Sequence, residues 1–182
     1  LSKKRVKKVP LTESPEFAKF QTWIHDAKRV LISTHSLPDG DGLGAETALY
    51  HYLKRGKKSC RIFNPDPLPK RYRFLDPKGT FLHGPGEAEM WDHCDLWIIV
   101  DTNDPRRLGK LWGDLYMRSK KIVFLDHHTD LMGVDEIKYP PHALVVADPD
   151  SSSIGELLNT LFQELNLAQL NIDVGRGLYV SV

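Results

Sequence analysis

Three short apolar runs, each followed directly by an aspartate, constrain the fold of this chain more than any other feature. Each run contains five residues and shows no alternation of polar and apolar side chains. Such runs are typical of strands that are buried on both faces of a parallel sheet. The runs and the aspartates that follow them are Leu96–Val100 with Asp101, Lys121–Leu125 with Asp126, and Ala143–Ala147 with Asp148.

Helical and extended patterns alternate along the rest of the chain. We predict a strand at residues 29–34, which ends at His35, a strand at 59–63, and short elements at 70–75 and 80–83. Helices are predicted at residues 14–29, 43–55 and 151–165. This order predicts an α/β fold, with a doubly wound, mainly parallel sheet that has helices on both faces. The ligand crevice of such a sheet lies outside the carboxyl ends of its strands, where His35 and the three aspartates would meet.

Bulk properties set limits on function and location. The 182 residues suffice for one domain with a sizeable core, and the net charge of +1 excludes a strongly basic nucleic-acid wrapper. Cys60 and Cys94 have no metal-type spacing and indicate cytosolic thiols. Because there is no apolar run of membrane-spanning length and no signal peptide, we expect a cytoplasmic protein without a membrane partner. Residues 1–13 are predicted to form a flexible basic arm before a domain at 14–182, and the initial Leu indicates a fragment.

The segment from His35 to Gly42 is predicted to be a loop rich in candidate metal ligands. Asp39 and Asp41 alternate with glycines, which allow the backbone to turn both carboxylates inward. A mixed His/Asp set without cysteine favours Mn²⁺, Fe²⁺ or Zn²⁺, and the excess of carboxylates fits Mn²⁺ best. A plain loop with an Asx-turn is the structural alternative for this segment taken alone.

A second candidate segment is the triplet Asp126-His127-His128. Neighbours on an extended chain point to opposite sides, so we do not expect the two histidines to bind one ion together. One of them would be a ligand, and the other would face either the substrate or the residues that surround the metal ligands. Asp126 would orient a histidine by accepting its ring N–H.

The candidate ligands outnumber the needs of one catalytic ion. A carboxylate can bridge two ions about 3.5–4 Å apart, and such a pair activates a water and clamps a phosphoryl group. Asp101 is the expected bridge, because its strand lies between the other segments. The candidate ligands are His35, Asp39, Asp41, Asp101 and His127.

Three serines precede the helix predicted at residues 151–165. Ser153 with Glu156 fits a capping box, in which side chains satisfy the free N–H groups of the first turn. The same helix start could instead hold an anion such as phosphate, which would make Ser151, Ser152 and Ser153 substrate contacts.

These segments, in this order, resemble the DHH phosphoesterase family. The resemblance covers about residues 28–182, and each segment matches one family motif. The matching segments are Thr34-His35 through Asp41 with Gly44, Val100-Asp101-Thr102-Asn103-Asp104 with Arg107-Leu108-Gly109, Asp126-His127-His128, and Asp150-Ser151-Ser152-Ser153 with Glu156. One departure is Ala45, where many members have Ser.

The resemblance implies a two-Mn²⁺ centre, for which Mg²⁺ is the alternative metal. By the family pattern, His35, Asp39 and Asp101 hold one ion, and Asp41, Asp101 and His127 hold the other. His128 would contact the scissile phosphate, so Asp101, His127 and His128 are the catalytic candidates. Family members usually supply a further Asp ligand after the point where this sequence stops, and a smaller domain with a Gly-rich substrate-binding motif follows it. The second ion site is therefore expected to be incomplete here, and the fragment weakly active or inactive.

The resemblance also suggests a substrate class. RecJ-type exonucleases tend to begin the first motif with Asp, whereas His35 resembles the subgroup that degrades very short oligoribonucleotides and dephosphorylates 3′-phosphoadenosine 5′-phosphate. We expect short single-stranded oligonucleotides or nucleotide 3′-phosphates as substrates. A manganese-dependent pyrophosphatase, a RecJ-type exonuclease and a non-enzymatic nucleotide sensor remain alternatives. The oligomeric state stays open, with a homodimer as one option.

Overall fold

The computed structural model describes residues 10–76, 78–84, 93–128 and 139–182, and six strands in these segments form one sheet. Every neighbouring pair of strands is parallel, and the strand order is β3-β2-β1-β4-β5-β6. The strands are β1 (Arg29–Ser33), β2 (Ser59–Asn64), β3 (Phe81–His83), β4 (Leu96–Val100), β5 (Ile122–Asp126) and β6 (Ala143–Ala147). The predicted α/β class with a parallel sheet is confirmed.

The described segments also contain five α-helices and three 3₁₀ turns. The helices are α1 (Pro15–Asp26), α2 (Gly40–Arg55), α3 (Lys110–Leu115), α4 (Ile154–Leu165) and α5 (Ile172–Val180). The 3₁₀ turns are Leu11–Glu13, Lys70–Leu75 and Pro105–Leu108. None of the helices in the described segments is long and apolar enough to cross a membrane.

Both faces of the sheet are buried, which explains why the strands contain continuous apolar runs. In β4, Ile98 belongs to a core cluster with α1, α2, α4 and α5, while Trp97 and Ile99 belong to a second cluster with α3. Successive residues of a strand point to opposite faces. A strand covered on both sides therefore needs an apolar residue at nearly every position, and the sheet is doubly wound.

Several element boundaries differ from the predicted ones. The helix predicted to start near Leu43 begins at Gly40, because the Asp39 side chain accepts hydrogen bonds from the backbone N–H groups of Asp41 and Gly42. This is an N-cap, which satisfies donors that the first helical turn leaves unpaired. The helix predicted to extend to residue 29 ends at Asp26, and the one predicted from residue 151 begins at Ile154.

The predicted basic arm lies mostly outside the described residues. Its last part, Leu11–Glu13, forms a 3₁₀ turn, and Leu11 packs against the main core cluster. The packed part of the fold therefore begins at least as early as Leu11.

The strand order places a crevice between β1 and β4. The chain winds outward from β1 through β2 to β3, and then returns to β4 on the other side of β1. Ligands of open α/β sheets bind at this switch in strand order, outside the carboxyl ends. His35 follows β1 and Asp101 follows β4, so both residues line the crevice.

Candidate metal centre

Two groups of histidine and aspartate side chains meet at this crevice. Within each group, one nitrogen or oxygen atom per residue lies within 4.8 Å of the others. Asp101 belongs to both groups, as expected for a carboxylate that two ions would share. The first group is His35, Asp39 and Asp101, and the second is Asp101, His127 and His128.

The His35 ring is held so that one nitrogen faces the carboxylates. Its Nδ1 lies 2.7 Å from the Ser36 carbonyl oxygen, which can only accept, so Nδ1 carries the proton. The other nitrogen, Nε2, lies 3.4 Å from Asp101 Oδ2. Burial alone would lower the pKa of His35, but the bonds to Asp101 and Ser36 outweigh it and raise that pKa. The position therefore favours a positive charge, which a proton or a metal cation can supply.

His127 is oriented in the same way. Its Nδ1 lies 3.3 Å from the Ser151 carbonyl oxygen, while its Nε2 lies 3.1 Å from Asp41 Oδ2 and 3.6 Å from Asp101 Oδ1. Metal-binding histidines commonly donate the N–H of the opposite ring nitrogen to a carbonyl or a carboxylate, which fixes the tautomer. Both His35 and His127 thus present an Nε2 to Asp101.

Asp101 is a buried carboxylate in a strained backbone position. Its φ of 62° lies in the left-handed region, which non-glycine residues seldom adopt and which recurs at active sites. The side chain is 3% exposed, and its Oδ1 has no hydrogen-bond partner among the described residues. An unsatisfied charged oxygen is costly to bury unless a cation accompanies it.

The spacing of these atoms fits a divalent cation. Two ligands bound at about 2.0–2.2 Å to one ion lie about 3.0–3.6 Å apart. The distances from Asp101 to His35 Nε2 and to His127 Nε2 are 3.4 and 3.6 Å. Both are longer than good hydrogen bonds and lie in the range of shared coordination. The donor set and the unpaired Asp101 oxygen therefore suit a metal ion.

Asp41 lies beside the second group, 3.1 Å from His127 Nε2, and is held by two donors from the C-terminal part of the chain. The backbone N–H of Ile154 lies 3.2 and 3.3 Å from its two oxygens, and Ser181 Oγ donates to Oδ1 at 2.5 Å. Burial raises the pKa of Asp41, and the nearby negative charge of Asp101 adds to this shift although the Ser181 hydroxyl opposes it.

The rings of His127 and His128 lie side by side, so the prediction that they point to opposite sides of an extended chain is wrong. Their ring centroids are 4.4 Å apart, because the chain leaves the extended conformation after Asp126. Asp126 Oδ1 accepts from the backbone N–H groups of both histidines and lies 2.7 Å from His128 Nδ1. Asp126 therefore orients His128, whereas the sequence left open which histidine it would hold.

The three serines have partners within the protein. Ser153 caps α4 by accepting from the Glu156 N–H, as predicted, but the Glu156 carboxylate accepts from the N–H and hydroxyl of Ser152 instead of closing a capping box on Ser153. Ser151 Oγ donates to Asp148, which stands outside both metal-type groups. The N–H of Ile154, at the start of α4, binds Asp41, so a protein carboxylate occupies the place expected for a phosphate.

Two contributors to this site were not found from the sequence. Ser181 carries no motif signal, because its role depends on α5 packing beside α2. Glu46 had a weak signal, as a charged residue in a stretch of α2 that is otherwise apolar or small, and it is fully buried.

Comparisons with known proteins agree with this picture of the fold. A sequence profile described as the N-terminal domain of the DHH family matches residues 29–178. The chain is 27% identical over 156 residues to the cyclic-di-AMP phosphodiesterase GdpP of Geobacillus thermodenitrificans, an alignment that covers 77% of this chain and 22% of that protein. An exopolyphosphatase-related protein from Bacteroides fragilis has a similar structure, with a TM-score of 0.77 and 19% identity. That match covers 91% of this chain and 48% of the other, so the chain spans about half or less of both relatives.

Proposed function

Because this chain belongs to the DHH family, we propose that it hydrolyses phosphodiester or phosphomonoester bonds with the help of Mn²⁺. The observation that carries this proposal is the buried Asp101, which belongs to both groups of metal-type ligands and whose Oδ1 has no hydrogen-bond partner among the described residues. Two bound ions would activate a water and stabilise the charge that develops on the phosphoryl group. No side-chain nucleophile is needed for this chemistry.

The proposed ligands divide between two ions that share Asp101. His35, Asp39 and Asp101 would hold one ion, and Asp41, Asp101 and His127 would hold the other. The short distances between Asp101, His35 and His127 support both assignments. Mg²⁺ is the alternative metal for these oxygen-rich groups.

His128 is proposed to contact the scissile phosphate. Its Nδ1–H is donated to Asp126, so this nitrogen has no lone pair for a metal. The side chain is 43% exposed, in contrast to the buried Asp101. A ring with one fixed nitrogen and an accessible edge can donate to a phosphate oxygen once it is protonated.

The proposed substrates are short single-stranded oligonucleotides or nucleotide 3′-phosphates. The balanced charge disfavours a long nucleic-acid track. A cavity of about 290 Å³ opens beside Ser36, the neighbour of His35, with an apolar wall formed by Phe63, Leu108 and Leu111. An apolar wall next to a phosphate-binding site suits a nucleoside.

A cyclic dinucleotide is the second candidate substrate, because the relative from Geobacillus thermodenitrificans is a cyclic-di-AMP phosphodiesterase. The test measures product release from a short RNA, 3′-phosphoadenosine 5′-phosphate, cyclic di-AMP, pyrophosphate and a long single-stranded DNA. Each is assayed with Mn²⁺ and with a chelator, for the wild type, Asp101→Ala and the control Asp148→Asn.

For the full-length protein, the expected result is turnover of the short RNA or the nucleotide that needs Mn²⁺, is lost in Asp101→Ala and persists in Asp148→Asn. Preference for pyrophosphate or for the long DNA would select one of the alternative enzymes instead. Tight nucleotide binding without turnover would favour a sensor, and turnover that is equal with chelator or in Asp101→Ala would refute the proposal.

A further inference from the structure

A buried glutamate in α2 has no role in the proposed chemistry of the metal centre. Glu46 is fully buried, and its Oε2 accepts a hydrogen bond of 2.8 Å from Asn64 Nδ2. Its Oε1 has no hydrogen-bond partner in the described part of the chain. An acidic side chain is rarely buried to this extent unless it has a specific role.

Asn64 connects Glu46 to the segment that carries His35. It is buried at the end of β2, and its Oδ1 accepts from the backbone N–H of Thr34 at 3.0 Å. Thr34 immediately precedes His35. The hydrogen bonds thus run from the helix, through the end of β2, to the residue before a proposed metal ligand.

Thr34 extends the same chain of hydrogen bonds to Asp101. Its hydroxyl donates to the carbonyl oxygen of Val100 at 3.0 Å, and Val100 immediately precedes Asp101. A Cβ at Gly42 would lie 2.3 Å from that hydroxyl oxygen, so the first turn of α2 leaves Thr34 little freedom to move. One buried network therefore fixes the backbone on both sides of the β1–β4 crevice.

We propose that Glu46 is a positioning residue for the metal centre, which acts through Asn64 and Thr34 to hold His35 and Asp101 at coordinating distance. The inference rests on the proposed metal-dependent function. It assigns to Glu46 the role of a hydrogen-bond acceptor, without direct contact with metal or substrate. The network ends at the residues that immediately precede two ligands of the first group, so that ion should depend on Glu46 most.

The environment of Glu46 indicates which substitution can replace it. Burial raises the pKa of Glu46 well above its ordinary value of 4.5, although the bond from Asn64 opposes this shift. Glutamine has nearly the size and shape of this side chain and carries no charge, which is the state that burial favours. An amide oxygen can accept from Asn64 as the carboxyl oxygen does.

The experiment measures the affinity for Mn²⁺ by electron paramagnetic resonance, with no substrate present. The proteins are the wild type, Glu46→Leu, Glu46→Gln and the control Thr47→Val. Thr47 is the adjacent buried residue, and its hydroxyl donates only within α2, to the Leu43 carbonyl. Circular dichroism of each variant establishes that the fold is retained.

Glu46→Leu is expected to lower the Mn²⁺ affinity about 10–100-fold, the usual cost of losing a residue that supports metal ligands. Glu46→Gln should restore the wild-type affinity, and Thr47→Val should leave it unchanged. If Glu46→Leu does not fold, Asn64→Ser takes its place with the same expected loss.

Two results would overturn the inference while leaving the proposed function intact. They are wild-type Mn²⁺ affinity in a folded Glu46→Leu or Asn64→Ser, and an equal loss in Glu46→Gln and Glu46→Leu. A wild-type protein that binds no Mn²⁺ would instead refute the metal-dependent function itself.

Discussion

Replacing Gly177 with alanine tests the close contact between α2 and α5, which brings Ser181 to Asp41. A Cβ at Gly177 would lie 2.4 Å from the backbone nitrogen of Ala48 and 2.7 Å from the carbonyl oxygen of Gly44. These are backbone atoms of a packed helix and cannot rotate away. The two helices would have to separate by about 1 Å to restore ordinary van der Waals distances.

Gly175 offers a matched control in the same helix. A Cβ at this position meets nothing within 4 Å. Both substitutions gain about 1 kcal/mol from the higher helix propensity of alanine, so this contribution cancels between them. What remains is the cost of overpacking at Gly177, about 1–3 kcal/mol. In a chain of this size, about 1 kcal/mol shifts the Tm by about 2–4 °C.

The assay is thermal and denaturant unfolding of Gly177→Ala and Gly175→Ala, together with Mn²⁺ binding. We expect Gly175→Ala to be at least as stable as the wild type, and Gly177→Ala to be less stable than Gly175→Ala by about 1–3 kcal/mol. Because Ser181 moves with α5, Gly177→Ala should also weaken Mn²⁺ binding beside Asp41. Equal stability of the two variants would refute the packing argument.

Three further predictions follow from buried groups. Burial raises the pKa of Cys60 to about 12 and also raises the pKa of Cys94. Neither thiol should therefore react with Ellman's reagent at pH 8 until the protein is unfolded. Fast reaction of the native protein would contradict this prediction. Glu46 has a raised pKa in the folded state, so its contribution to stability is present below pH 4.5 and is lost as the pH rises. The free energy of unfolding of Glu46→Gln should therefore increase relative to that of the wild type as the pH rises above 4.5. A difference between the two free energies that stays constant across pH would contradict this prediction. Ser153→Ala should lower the free energy of unfolding by about 1 kcal/mol, because the α4 cap is lost. The KM for substrate should stay unchanged, since the Ser153 hydroxyl accepts from the Glu156 N–H. A raised KM with wild-type stability would instead indicate that Ser153 contacts the substrate.

The parallel sheet could be predicted from the sequence, because strands that are buried on both faces contain continuous apolar runs. The strand Leu96–Val100 has the predicted bounds, and Ala143–Ala147 does too. Their residues are apolar because they pack into the core clusters on both faces of the sheet. All strands of a parallel sheet have their carboxyl ends at the same edge. The convergence of His35 and Asp101 followed from that topology without knowledge of any side-chain contact.

Details that depend on tertiary contacts could not be predicted. The start of α2 was missed because Asp39 acts both as a helix cap and as a candidate ligand, and the Asp-Gly alternation resembles a loop. The side-by-side rings of His127 and His128 depend on a bend after β5, which Asp126 stabilises. Ser181 lies 140 residues from Asp41 in the chain, so no local pattern indicated their contact.

The most direct test of the shared metal centre is the number of Mn²⁺ ions bound, and their affinities, in four proteins. These are the wild type, Asp101→Asn, Asp39→Asn and the control Asp148→Asn, whose aspartate also follows a strand but lies outside both groups. Asp101→Asn should weaken every Mn²⁺ site by at least about 10-fold, Asp39→Asn should weaken only one, and Asp148→Asn should weaken none. The same number of ions bound with unchanged affinity in Asp101→Asn would contradict the assignment of Asp101 as the shared ligand.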